Sequence, residues 1–178
     1  MASILRFDNW QNSDGTSIAT TDASGNISFA GAGAGKILQV VSTTKTDPFS
    51  TTSTSFADVP GVSVSITPTS ATSKVFVIVT GLARISVANQ AVRMNLVRDS
   101  TDIAQGTGGS SLNQTIYLVG DTNPKNYTAT FLDSPATTSA TTYRLQVASS
   151  GGGATVYLNE TTATVGAIST ITVMEVSA

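Results

Sequence analysis

The stretch VSVSITPTSATSKVFVIV, residues 62–79, decides the fold. In its first half Val62, Val64 and Ile66 alternate with Ser63, Ser65 and Thr67. A period of two is the signature of a strand with one dry face and one wet face. A Pro and a run of small hydroxyl residues break the pattern at 68–73. Val75-Phe76-Val77-Ile78-Val79 then runs apolar on both faces. Such a run belongs to a central strand, or to one that also meets a neighbouring subunit.

Working outward, the same grammar recurs from residue 36 to the C-terminus. Strands are expected at 37–42, 55–58, 62–67, 74–83, 92–98, 114–119, 126–132, 142–148, 154–160 and 168–176. Val92, Met94 and Leu96 alternate with Arg93, Asn95 and Val97, and Leu145 and Val147 with Arg144 and Gln146, so these strands are also expected to keep one wet face. Pro60-Gly61, Gly120-Asp121, Asn123-Pro124 and residues 150–153 supply turns. No segment carries a clean 3.6-residue stripe, and residues 88–91 read as a turn between strands. Many short strands at this rhythm predict an all-β, antiparallel, jelly-roll-like sandwich.

Residues 1–35 differ. They are polar, with turns at Asn12-Ser13-Asp14-Gly15 and Ala23-Ser24-Gly25-Asn26, and with short apolar pieces between. They read as an extended N-terminal β-arm, joined through a Gly-Ala hinge at 31–35 to a body over 36–178. Ile4, Leu5, Phe7, Trp10, Ile18, Ile27 and Phe29 are the candidate docking residues of the arm. Trp10, the one tryptophan, either anchors the arm in a partner's pocket or folds back on its own domain. Phe76, Ile78 and Tyr117 are the candidates for contact between subunits, while Tyr143 and Tyr157 fit core or interface alike.

Composition limits the chemistry. Of 178 residues, 11% are charged, 40% are hydrophobic, and His and Cys are both absent. The missing histidine removes the commonest general base and metal ligand. Gly31-Ala32-Gly33-Ala34-Gly35-Lys36 fails as a P-loop, because Ala30 and Ile37 stand where Gly and Ser/Thr are needed. Asp99 and Asp102 read as a surface turn, and Asp121-Thr122-Asn123 as an oxygen-rich turn. Ser73-Lys74 is a poor nucleophile and base, since strand neighbours point to opposite faces. The sequons at Asn26, Asn113, Asn126 and Asn159 read as chance in a Thr-rich chain. No enzyme activity, cofactor or metal is expected.

With a net charge of −2 and no basic patch, neither nucleic acid nor a membrane surface is an expected partner. The first residues lack an apolar signal region, so assembly in a cytoplasm is expected. Apolar surface that charge does not mask calls for covering by protein, and copies of the same chain are the first candidate.

The pieces Ser17-Ile18-Ala19-Thr20, Asp22-Ala23-Ser24-Gly25-Asn26-Ile27 and Lys36-Ile37-Leu38-Gln39-Val40-Val41 resemble the N-termini of small virion structural proteins of marine tailed bacteriophages. Residues 52–81 resemble the opening of the β-domain such proteins carry. The resemblance implies a virion location, a homotrimer with jelly-roll bodies, and an arm that docks to the particle. It fits a capsid decoration or cement protein, with the major capsid protein or a tail protein as partner. It also fits a tail-fibre or head-fibre protein recognising a host surface receptor through loops at 107–111, 121–125 and 149–153.

Overall fold

The computed structural model describes residues 9–25, 27–29, 35–107, 113–120, 122–162 and 165–178. It is all-β and antiparallel, with no helix among the described residues. Three short strands come first: β1 (Asn9–Gln11), β2 (Ser17–Thr21) and β3 (Ile27–Phe29). They pair in the order β1-β2-β3 and share no strand pairing with the rest. Their turns form where the Asn, Asp and Gly residues predict them. Thr16 N–H donates to Asn12 Oδ1 and Asp14 Oδ1, and Gly15 and Gly25 take positive φ. The bond from Thr16 holds the Asp14 carboxyl below its usual range. The expected hinge glycines and alanines at 31–34 lie outside the described residues.

The body contains β4 (Ile37–Lys45), β5 (Phe49–Thr51), β6 (Ala57–Ile66), β7 (Lys74–Ile85), β8 (Ala91–Arg98), β9 (Thr101–Ile103), β10 (Ile116–Val119), β11 (Lys125–Asp133), β12 (Thr141–Ser149), β13 (Val156–Leu158) and β16 (Ser169–Val176). A small side ribbon joins β14 (Glu160–Thr162) to β15 (Val165–Gly166). On one side β7 pairs with β11 along its length. On the other side it pairs first with β16 and then with β13. Beyond these, β4 pairs with β16 and β5 with β13. Thus β4/β5 share one track and β16/β13 another. Similarly, β9 and β10 lie along one edge of β8, whose other edge pairs with β12, and β12 pairs with β6.

Taken in chain order, the eight tracks run β4/β5, β6, β7, β8, β9/β10, β11, β12 and β13/β16. The first sheet has the order sixth, third, eighth, first. The second has the order fifth, fourth, seventh, second. This alternation of the chain between two four-track sheets is a jelly roll.

The core lies between the sheets. Val75, Val77, Val79, Ile171 and Val173 of the first sheet face Val62, Val64, Met94, Leu96, Tyr143, Leu145 and Val147 of the second. Burying a side chain of this size stabilises the fold by about 1.5–3 kcal/mol against leaving it in water.

Three expectations need correction. Residues 55–58 and 62–67 are not two strands flanking a turn at Pro60-Gly61. They are one strand, β6, with a bulge, where the register with β12 skips between Arg144 and Gln146 and Gly61 has φ +83°. The strand lies at a sheet edge, where proline forfeits no ladder bond. Second, β8 has no wet face, since Arg93, Asn95 and Val97 are all buried. The segment before β6 folds over Arg93, whose guanidinium donates to the Thr54 and Ser149 carbonyls and lies 5.3 Å from the Phe56 ring. Third, the strand expected over 154–160 stops at Leu158. Asn159 turns with φ +59° and its amide donates to the Lys45 and Asp47 carbonyls.

Candidate functional site

The register of the first sheet sets side chains into rows, because cross-strand partners in a pleated sheet share a face. Facing the core, Gln39, Glu175, Val75 and Asp133 form one row, followed by Val41, Val173, Val77 and Phe131. Facing outward, Val40, Met174, Phe76 and Leu132 lie side by side across all four strands. The next outer row is Ser42, Thr172, Ile78 and Thr130, and the one after it Thr44, Thr170, Thr80 and Thr128. No charged residue occurs in these three rows. Val40 is 55% exposed and Leu132 47%, while Phe76 and Ile78 between them are half-buried. Leu38 and Ile37 continue the apolar area toward the start of β4 and are both exposed. This face is the candidate assembly surface.

Phe76 and Ile78 therefore stand together, as the central pair of the outer face. Tyr117 does not join them. It lies on β10, opposite Arg93 at the edge of the second sheet, and is 51% exposed. Tyr143 is wholly in the core, and Tyr157 is half-buried with the Arg84 guanidinium 3.9 Å above its ring.

The N-terminal sheet supplies a second surface. Trp10, Ala19 and Phe29 are cross-strand partners, and Ile27 stands opposite Thr21 on that same face. Trp10 is 57% exposed and Ile27 63%, whereas Ala19 between the outer strands is buried. Ile18 points to the other face. Ile4, Leu5 and Phe7 lie outside the described residues. A three-stranded sheet this small cannot bury its apolar side chains by itself, which makes this face a second candidate contact surface.

Polar clusters pin the two ends of the core behind the candidate assembly surface. At one end Glu175, fully buried, accepts bonds from Gln39 Nε2, Thr69 N–H and Thr69 Oγ1, each at 2.7 Å. Burial pushes its carboxyl up, but the bonds from Gln39, Thr69 and Ser73 outweigh this and hold it down to about 2. In the same row, on the far side of Val75, Asp133 receives Arg98 Nη1 on both oxygens at 2.9 and 2.8 Å, and the Tyr143 hydroxyl at 2.7 Å. Burial, and then that carboxylate, push the Tyr143 hydroxyl far above its usual range. At the other end Tyr127 shares a 2.8 Å bond with Ser169, which donates to Asn159 Oδ1. Burial pushes the Tyr127 phenol up to about 12. Gly81 makes room for this cluster, since a Cβ there would lie 2.3 Å from Ser169 Oγ and 2.5 Å from Tyr127 Oη.

These pins escaped sequence reasoning because most of their partners meet only in the folded sheet, Thr69 and Glu175 standing 106 positions apart and Tyr127 and Ser169 42. Ser73 does not approach Lys74 as a catalytic pair. It is buried among the donors to Glu175, while Lys74 is exposed. Asp99 does form a surface turn, with φ +51° and its carboxylate accepting from Thr142 N–H. Asp121 lies outside the described residues. Among the described residues no three acidic side chains gather in a metal-binding group, and no helix is long and apolar enough to cross a membrane.

No family model matches the chain, and no curated protein matches it. Among solved structures it is similar to a chain in a structure of infectious bursal disease virus, Gx strain, at 13% identity and a TM-score of 0.37. The alignment covers 85% of this chain and 43% of the viral one, so this chain spans less than half the length of that neighbour. A likeness this distant adds nothing to the strand order already given.

Proposed function

We propose that this chain is a non-enzymatic structural protein of a virus particle, of the capsid decoration or cement type. Its jelly-roll bodies associate, as a homotrimer, through the outer face around Phe76 and Ile78. Its N-terminal sheet docks on a coat protein through Trp10, Ile27 and Phe29. The observation that carries this reading is the uncharged outer face, with four apolar side chains abreast from Val40 to Leu132. Monomeric proteins seldom leave such a surface to water. The resemblance of residues 17–41 to phage virion proteins supports the same reading.

The mechanism is mass action. Each contact favours the assembled shell over its free parts, and three tethered arms on one trimer raise the effective concentration of the second and third docking events. Full-length protein mixed with empty capsids is expected to bind and to raise the temperature at which the shells open. A chain lacking residues 1–30 is expected to lose both effects. Host-cell binding by the truncated chain, with no effect on shells, would instead support a fibre protein that recognises a host receptor.

A further inference from the structure

We infer that β11 is an open pairing edge and that its partner is β11 of a second copy, antiparallel across a two-fold axis. This contact is separate from the outer face and does not rest on the viral reading.

A sheet edge presents unpaired backbone groups that invite another strand, and folded proteins normally blunt it. Three of the four edges in this sandwich carry such protection. β6 has Pro60 and the bulge at Gly61. The β9/β10 edge is made of strands of three and four residues. The β4/β5 edge breaks at 46–48 before a three-residue strand, and it turns the charged Lys45 inward, where it is buried.

β11 has only one of these devices, the inward and buried charge of Asp133, and that is its last residue and is paired with Arg98. The strand runs nine residues, pairs with β7 without a register shift, and contains neither proline nor glycine. From Asn126 to Asp133, no backbone-to-backbone bond is seen outside the pairing with β7 among the described residues. From Asn126 to Leu132 it is uncharged.

The sequence of β11 is also complementary to itself. An antiparallel pair centred on Ala129 sets Thr128 opposite Thr130, Tyr127 opposite Phe131 and Asn126 opposite Leu132. Every such pair joins residues of like parity, so core-facing positions meet core-facing ones and the pleats match. Lys125 falls opposite Asp133 of the second copy, so no like charges meet. The result is one continuous sheet through two bodies, an isologous contact of the kind two-fold dimers use. Each outer apolar row would end at Leu132 against Asn126 of the other copy. Together with a three-fold contact through the outer face, the two-fold contact would link trimers to one another.

The chain has no cysteine, which makes the test clean. The full chain carrying T128C and T130C is expected to form a disulfide-linked dimer on mild oxidation. The same pair of substitutions at Ser42 and Thr44, on the opposite edge strand, is expected to cross-link at least ten-fold more slowly. In a chain that also carries F76S and I78S, and so lacks the outer-face contact, T130K is expected to weaken concentration-dependent association by at least ten-fold in sedimentation experiments, with an unchanged melting curve showing that the fold persists. The inference is overturned by a chain that stays monomeric at high concentration. Equal cross-linking of the two cysteine pairs would overturn it too, as would association that T130K leaves within two-fold.

Discussion

At the scale of single residues, the stability of this sandwich depends on a few polar groups enclosed at the ends of an aliphatic core. Gly81 is one whose role is purely spatial. Its φ is unexceptional, yet a methyl group there would collide with Ser169 and Tyr127 at 2.3 and 2.5 Å. G81A is expected to lower unfolding free energy by about 1–3 kcal/mol, the usual cost of overpacking, measured by urea titration. Glu175 makes stability depend on pH. Its folded carboxyl is held near 2, against 4.5 ordinarily, so the folded state favours the ionised form. The stability it lends is complete above about pH 4.5 and drains away as pH falls toward 2. Melting temperatures recorded between pH 5 and 2 are expected to fall for the native chain, and to fall less steeply for E175Q, which has no proton to gain at that position.

At the scale of elements, legibility in the sequence follows length and alternation. β7, β12 and β16 announce themselves because they are eight or more residues long and rich in apolar positions, with an unbroken apolar run at 75–79 in β7 and alternation over 143–147 in β12. β5, β9, β14 and β15 are two or three residues long, and nothing local distinguishes them from loop. Arg93 and Asn95 mislead because alternation reports residue type, and a covering segment from elsewhere in the chain can turn a polar position inward. Of the candidate site, Phe76 and Ile78 were readable because an apolar residue on the outer parity of a strand already signals a second contact. The separation of Tyr117 from them was not readable, since it depends on which strands share a sheet. The substitutions F76S and I78S together are expected to abolish the trimer, leaving no species larger than a dimer by light scattering. Far-UV circular dichroism is expected to keep its β signature, because both side chains face away from the core.

At the scale of the whole molecule, the N-terminal sheet and the sandwich share no strand pairing, and the core lies entirely within the body. A fragment of residues 36–178 is therefore expected to fold cooperatively, with a melting temperature within a few degrees of the full chain, measured by calorimetry. The same layout divides the labour. The body holds the core and the uncharged outer rows, and the small leading sheet carries a separate apolar face of its own.

The root of that leading sheet is fastened to the far end of the chain. Gly35 N–H and Lys36 N–H donate to Ser177, and Ser177 N–H donates back to the Lys36 carbonyl. For protein engineering this is an invitation. A short peptide bridging 178 to 36 would close the body into a circle, and new ends opened at the exposed Gly152 would give a circular permutant with its strand ladder uncut. Cargo fused at those new ends would be displayed well away from the corner where the natural front segment departs.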